Sequence, residues 1–231
     1  MISVVVPNHG RDITRLKDSV LSASEYINTE LIVIDAGLER SEQRNIGIKQ
    51  SKRDIILWLD SDQAVSKGLL VECVIKIAEG ADSLYIPEII VADSFFGKIR
   101  AFERSFLTGT AVDVPRAVLR SVCPLFDTDF NGPEDADFGN RIPGNRGVTE
   151  SVLYHHDDIS LLEYIKKKAY YTKSMKKYAE KWPDDPCLRL RYRCFTVFTE
   201  NGKWKKLLKH PILTAGVILL LILRGVIYAR R

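Results

Sequence analysis

The run IILWL at residues 55–59, followed at once by Asp60-Ser61-Asp62, constrains this chain more than any other stretch. Five successive apolar residues without polar alternation describe a strand buried on both faces. Such a strand belongs inside a mainly parallel sheet covered by helices. The surrounding pattern agrees. Strand signals at residues 3–6, 31–34, 55–59 and 83–86 alternate with helix signals at 13–24, 41–50 and 67–79. Alternation of this kind builds βαβ units with right-handed crossovers, so the expected fold class is α/β, with a Rossmann-like sheet flanked by helices. Residues 90–147 read as irregular. They include PLFDTDFNGPEDADFGNRIPGNRG, whose turn-forming residues suit the rim of an active site. After a strand-like stretch at 148–154, the pattern becomes helical, over 159–182, 187–198 and 203–229.

D-x-D occurs twice more, at Asp127-Thr128-Asp129 and Asp135-Ala136-Asp137, so its spacing alone means little. Only the first copy stands at the C-terminal end of a buried strand, where open α/β sheets bind ligands. Two carboxylates there repel one another and lose solvation unless donors or a cation compensate. Mg²⁺ or Mn²⁺ suits carboxylate oxygens and is one reading; a solvated strand end is the other.

The first strand exits through PNHGRD, at residues 7–12, which fits neither G-x-G-x-x-G nor G-x-x-x-x-G-K-[ST]. The second ends at Asp35, a carboxylate placed either to accept from a base N–H or ribose hydroxyl, or to cap a turn. With Asp60 and Asp62, three successive strand ends form one electronegative edge. That edge suits a sugar nucleotide whose phosphates arrive with a cation. In GPEDADFGNRI, Glu134, Asp135 and Asp137 open a short helix behind Pro133. Acids there favour the helix dipole. A carboxylate facing substrate would also serve as a general base. Arg141, four residues after Asp137, pairs with it on a helix.

Charge is unevenly distributed. Residues 166–210 hold fourteen Lys and Arg against four Asp and Glu, while the first 165 residues carry a net −9. Residues 212–229 are apolar except for Thr214 and Arg224, near the roughly 20 residues that a span requires. A single span, a helix in the interface and a buried soluble helix all fit this composition. The basic stretch before it suits anionic headgroups better than nucleic acid, because the body of the chain is acidic. Cys73, Cys123, Cys187 and Cys194 show no C-x-x-C spacing, which indicates reduced thiols in a cytosol-facing protein and no zinc site. Strand-like residues 2–6 begin at once, so no signal peptide is expected.

Taken together, SVVVPNHGR, LIVIDAG, RNIGIKQSKRDIILWLDSD, FNGPEDADFGNRI and SVLYHHDDISLLEYIKKKAYY resemble, in that order, the motifs of family 2 glycosyltransferases of the GT-A fold, over residues 2–177. The resemblance implies a hexosyltransferase. Pro7, Asn8, Asp35, Arg44, Asn45, Asp60 and Ser61 would bind a nucleotide-diphosphate sugar. Asp62, Asp60 and His156 (or its neighbour His155) would hold Mn²⁺ or Mg²⁺. Asp135 would be the catalytic base, with Glu134 beside it. Transfer would then be a single displacement that inverts the anomeric carbon. The triplet Asn8-His9-Gly10, Ala36 and Leu38 depart from the family pattern in the nucleotide half.

The expected organisation is a catalytic domain at 1–158, basic amphipathic helices at 159–202 and an anchoring helix at 203–231. The enzyme would sit at the cell membrane, its catalytic domain facing the cytoplasm, with a lipid-linked saccharide as acceptor. A polyprenyl-phosphate glycosyltransferase of the dolichyl-phosphate mannose synthase type is the nearest alternative. A non-catalytic membrane module and a nucleotidyltransferase are further ones. The intact carboxylates argue against the former, and the missing Gly-rich loop against the latter.

Overall fold

The computed structural model describes residues 1–229. In chain order it forms β1 (Ile2–Pro7), α1 (Thr14–Ala23), β2 (Thr29–Ile34), α2 (Arg40–Gln50), β3 (Ile55–Trp58), β4 (Gln63–Val65), α3 (Leu69–Ala78), β5 (Ser83–Tyr85) and β6 (Glu88–Ile90). Next come α4 (Phe95–Arg104), β7 (Ala117–Leu119), α5 (Glu134–Asn140), β8 (Arg146–Val148) and β9 (Leu153–His155). The remainder is helical: α6 (Leu161–Tyr171), α7 (Met175–Lys181), α8 (Val197–Thr199), α9 (Trp204–Lys209) and α10 (Pro211–Ala229). Two compact units result. The first contains residues 1–89, 114–128 and 134–155; the second contains 90–113, 129–133 and the chain from 156 onward.

In the first unit a six-stranded sheet runs β2-β1-β3-β7-β5-β8. β1 pairs in parallel with β2 and β3, and β5 with β8, while β7 runs antiparallel to β3 and β5. Every residue of β1 and β3 is buried. Side chains alternate between faces, so adjacent residues serve different cores. Val4, Val6, Ile55 and Leu57 pack with Leu16 and Val20 of α1 and Leu70 of α3. Val5, Ile56 and Trp58 pack with Ile48 of α2 and with Phe126 and Phe138. Each such large side chain contributes about 1.5–3 kcal/mol by burial. The second face is tight: a Cβ on Gly47 would stand 2.3 Å from Val5 Cγ1, so glycine lets α2 lie close against β1. A smaller sheet, β4-β9-β6, follows the Asp60 turn, with Gln63 opposite His155.

The second unit is helical. Ile99 and Phe102 of α4, with Phe106, pack with Tyr164 of α6, Val197 and Phe198 of α8, and Val217 and Leu220 of α10. Residues 90–113 therefore join the helical unit instead of the sheet domain. Besides α5, the short helix expected behind Pro133, and the start of β8, two elements interrupt the stretch that reads as irregular, the amphipathic α4 and the short β7. Three residues of strand are too few for periodicity to register, and α4 lies among turn formers. α9 stops at His210 because Pro211 opens α10, where its missing N–H costs nothing.

Candidate active site

The carboxylate pair sits on a turn. Asp60 N–H donates to Gln63 Oε1 at 2.9 Å, and Gln63 N–H donates to Asp60 O at 3.1 Å, so residues 60–63 fold back tightly between β3 and β4. Asp60 and Asp62 leave this turn with different partners.

Asp60 is gripped by arginines. Arg44 Nη2 donates to its Oδ1 at 2.8 Å, and Arg116 Nη1 to its Oδ2 at 3.3 Å; Arg40 stands 3.9 Å away. Burial would raise the Asp60 pKa, but Arg44, Arg116 and Arg40 outweigh it and hold the group well below the usual carboxylate range. Both principal guanidinium groups lie over one ring. Arg44 Cζ is 4.4 Å from the Trp58 centroid, and Arg116 Cζ is 4.2 Å from it. An indole next to two cations attracts both through its quadrupole, which helps to offset burying them. Phe126 meets the Trp58 ring edge-on at 5.5 Å and stacks on Phe138 at 4.1 Å.

Arg44 is completely buried and bridges two carboxylates. Its Nη1 donates to Asp135 Oδ1 at 2.6 Å, across 91 residues of chain, while Nη2 holds Asp60. Asp135 lies in the first turn of α5 and keeps 30% of its side chain exposed. Its Oδ2 has no partner among the described residues. Glu134 is more enclosed; burial and the neighbouring Asp135 charge push its pKa up, against the pull of Arg44 and Arg40. Asp137 is fully buried and pairs with Arg141 at 2.8 Å, the helical i,i+4 contact that the spacing implies.

Asp62 faces His155. His155 Nε2 lies 3.2 Å from Asp62 Oδ1, and its Nδ1 lies 2.7 Å from Glu88 Oε1. Burial would lower the His155 pKa, but Asp62 and Glu88 outweigh it and raise it to about 9. The ion-pair distance to Asp62 is short but poorly directed: Asp62 Oδ1 is buried without a hydrogen-bond donor among the described residues. Among the described residues its Oδ2 meets only Arg11, at 3.4 Å. The residue at this carboxylate is thus His155, where the sequence resemblance puts His156 first. The reason is register: β9 places His155 directly opposite Gln63 of the turn, whereas His156 falls past the end of the strand.

The first two strand ends also meet. Asn8 Nδ2 donates to Asp35 Oδ1 at 2.9 Å, and Asn8 Oδ1 accepts from Arg11 N–H at 3.1 Å. Pro7, which closes β1, is buried. Asn45 goes elsewhere: its amide exchanges two hydrogen bonds with the Phe126 backbone, at 2.7 and 2.8 Å. It therefore fixes the ring beneath Arg44. Ser61 occupies the turn between the two aspartates. The structure assembles Asp60, Asp62, Arg44, Asp135 and His155 into one constellation, with Asn8 and Asp35 as a second pair on the same sheet.

Sequence reasoning missed Arg116, Glu88, Trp58 and Phe126. Glu88 links the two halves of the constellation, since its other oxygen accepts from Arg116 Nη2 at 3.2 Å. The only sequence signal for these residues was weak: a lone arginine before an apolar triplet, and a lone glutamate after a strand.

A central, mostly parallel sheet with helices on its faces and charged groups at its strand ends is the architecture of GT-A glycosyltransferases, and comparison with solved structures agrees. S. aureus TarS 1–349 matches with a TM-score of 0.55 at 16% identity, over 96% of this chain and 80% of that one. The same fragment in complex with UDP-GlcNAc matches with a TM-score of 0.52 at 15% identity, over 96% and 81%. A longer TarS chain matches with a TM-score of 0.52 at 16% identity, over 89% of this chain but 46% of that one. No curated protein matches the sequence. The chain belongs to glycosyl transferase family 2, whose sequence profile matches residues 37–156, just over half of its length. It is a glycosyltransferase.

Proposed function

We propose that the enzyme transfers a sugar from a nucleotide-diphosphate sugar to a lipid-linked saccharide, with inversion at the anomeric carbon. The observation that carries this reading is the Arg44 bridge. One buried guanidinium ties Asp60, on the strand-end turn, to Asp135, which retains an unengaged oxygen. Asp135 Oδ2 takes the proton of the acceptor hydroxyl as that hydroxyl attacks opposite the leaving diphosphate. Arg44 holds the carboxylate in place for this. Asn8 and Asp35 offer an amide and a carboxylate to the nucleoside. The capture of UDP and of UDP-GlcNAc by TarS supports a nucleotide-sugar donor.

The residues around Asp62 fit a divalent cation. A buried carboxylate oxygen without a donor, facing an imidazole, is an unfinished ligand set. Asp62 and His155 would hold Mn²⁺ or Mg²⁺, and Glu88 orients the imidazole through its other nitrogen. His155 must release its proton to do so. Among the described residues no third carboxylate, thiol or imidazole completes the set, which suits a cation that arrives with diphosphate oxygens and water. When bound, it would neutralise charge on the leaving diphosphate. Asp60 is committed to arginines, so its part is to set the turn and share the Arg44 bridge.

The enzyme would work at a membrane with its catalytic unit on the cytoplasmic side, a reading supported by the basic helical unit and the apolar α10. α10 is the one described helix long and apolar enough to cross a bilayer. Asp135→Asn should lower transfer by about 10²–10⁴-fold, the range of general-base catalysis, while donor binding by calorimetry stays intact. Wild-type transfer by Asp135→Asn would remove this assignment. Asp62→Ala should abolish the metal dependence of donor binding.

A further inference from the structure

Composition leaves open whether α10 crosses a bilayer or lies along it. The packing of α10 distinguishes the two. Its nineteen residues span about 28 Å at 1.5 Å per residue, close to the thickness of a hydrocarbon core. A span would therefore put Leu220 near the midplane. Yet Val217 and Leu220 are 2% and 5% exposed, packed in the same core as Ile99 and Phe102 of α4. The approach is close: a Cβ on Gly216 would stand 2.5 Å from Ile99 Cδ1. Further along, Arg224 is ion-paired with Glu103 of α4. α4 also carries Lys98, Arg100 and Arg104, and Lys98 is exposed. A spanning α10 would carry these charges into hydrocarbon, where they are strongly disfavoured. Undocking it instead would uncover the core and leave Glu103 unpaired.

The opposite face of α10 is open and equally apolar. Ile212, Leu219, Ile222 and Val226 are 72%, 67%, 59% and 43% exposed, and their successive intervals of seven, three and four residues keep them on one stripe. An uncharged stripe of this length on a water-exposed surface marks an interaction site. The elements leading into it are basic, with Trp204 and Leu208 also exposed among Lys203, Lys205, Lys206 and Lys209. Apolar side chains bordered by an indole and ammonium groups match the boundary between acyl chains and anionic headgroups.

We propose that α10 is an in-plane membrane helix. It stays docked on α4 through Gly216, Val217, Leu220 and Arg224, and inserts its open face into one leaflet bearing anionic lipid. This rests on the membrane association proposed above, but not on the transfer chemistry.

Topology labelling tests it. Cys73 and Cys187 are suited to remain silent because they are buried, which pushes their thiols up to about 12 and 11, and the half-buried Cys123 is replaced by serine. The exposed Cys194 is replaced by serine. Reporter cysteines are placed singly at Lys205→Cys and after Arg231 in the full chain. Each variant is bound to sealed vesicles of phosphatidylethanolamine and phosphatidylglycerol and probed with a membrane-impermeant maleimide. An in-plane helix gives full labelling of both positions before the vesicles are permeabilised. Labelling of one position only after permeabilisation shows a span and overturns the proposal. A chain that stays in the supernatant refutes membrane association itself; if it is also dimeric, the stripe joins two copies. As a second readout, Leu219→Glu with Ile222→Glu should weaken vesicle binding by about tenfold or more per residue. The melting temperature should hold, because neither side chain enters the docked face. Unchanged binding by that variant would equally overturn the proposal.

Discussion

Replacing Arg44 with methionine tests whether the active-site carboxylates are organised from within the protein. The guanidinium is completely buried, donates to Asp135 at 2.6 Å and to Asp60 at 2.8 Å, and lies over Trp58 and Phe126 at 4.4 and 4.9 Å. Methionine retains much of the apolar volume and removes the charge. Asp60 keeps Arg116, but Asp135 loses its partner. Removing one member of a buried ion pair costs about 3–5 kcal/mol, because the other charge is left uncompensated. For a chain of this size 1 kcal/mol moves the melting temperature by about 2–4 °C, so the expected loss is about 6–20 °C by calorimetry. Arg44→Lys should recover part of it, since an ammonium reaches one carboxylate but cannot fork between two. Asp60→Asn in the Arg44→Met background should cost less than it does in wild type, because the two share a network. An Arg44→Met protein melting within 2 °C of wild type would refute the bridge, and with it the view that Arg44 positions Asp135.

Two further outcomes follow from packing and titration. Gly47→Ala should cost about 1–3 kcal/mol by overpacking, since its methyl would meet Val5 at 2.3 Å; a melting temperature unchanged by this substitution would mean that α2 is free to shift from β1. Lys168 has its pKa lowered to about 7 by burial, with Arg224, Arg193 and Lys167 adding repulsion, against an ordinary 10.5. A lowered lysine pKa penalises the folded state fully below about pH 7, and the penalty fades as pH rises towards 10.5. Lys168→Met should therefore melt several degrees above wild type at pH 6.5, with the gap closing by pH 10. Parallel melting curves across that range would show that the lysine is solvated in the folded protein.

Much of the architecture was readable before folding was considered. The first three strands and their helices announce themselves because each is long enough for its period to register, and because β3 is apolar without interruption and β1 is apolar but for Ser3. Asp60, Asp62 and Asp135 stood out for the same reason: each follows a local signal, a buried strand or a helix start, that gives a carboxylate a definable place. β7 and α4 did not, being respectively short and set among turn formers.

Those local patterns determined that this chain folds as a layered α/β domain with acidic strand ends, followed by basic helices and one apolar helix. They did not determine what each acid touches. That required β7 to enter the sheet in reverse, which carries Arg116 to Asp60 across 56 residues, and β9 to pair in a register that sets His155, not His156, opposite the turn. It required Asn45 to hold Phe126, so that Arg44 has aromatic rings beneath it. In the second unit, α10 reads as apolar apart from Thr214 and Arg224, and only docking on α4 divides it into a covered face and an open one. Periodicity reports which way a side chain points within its own element. Which charge meets which is set by pairings between elements far apart in the chain, and in this protein those pairings assign Asp60 to arginines and leave Asp62 with an unmet oxygen.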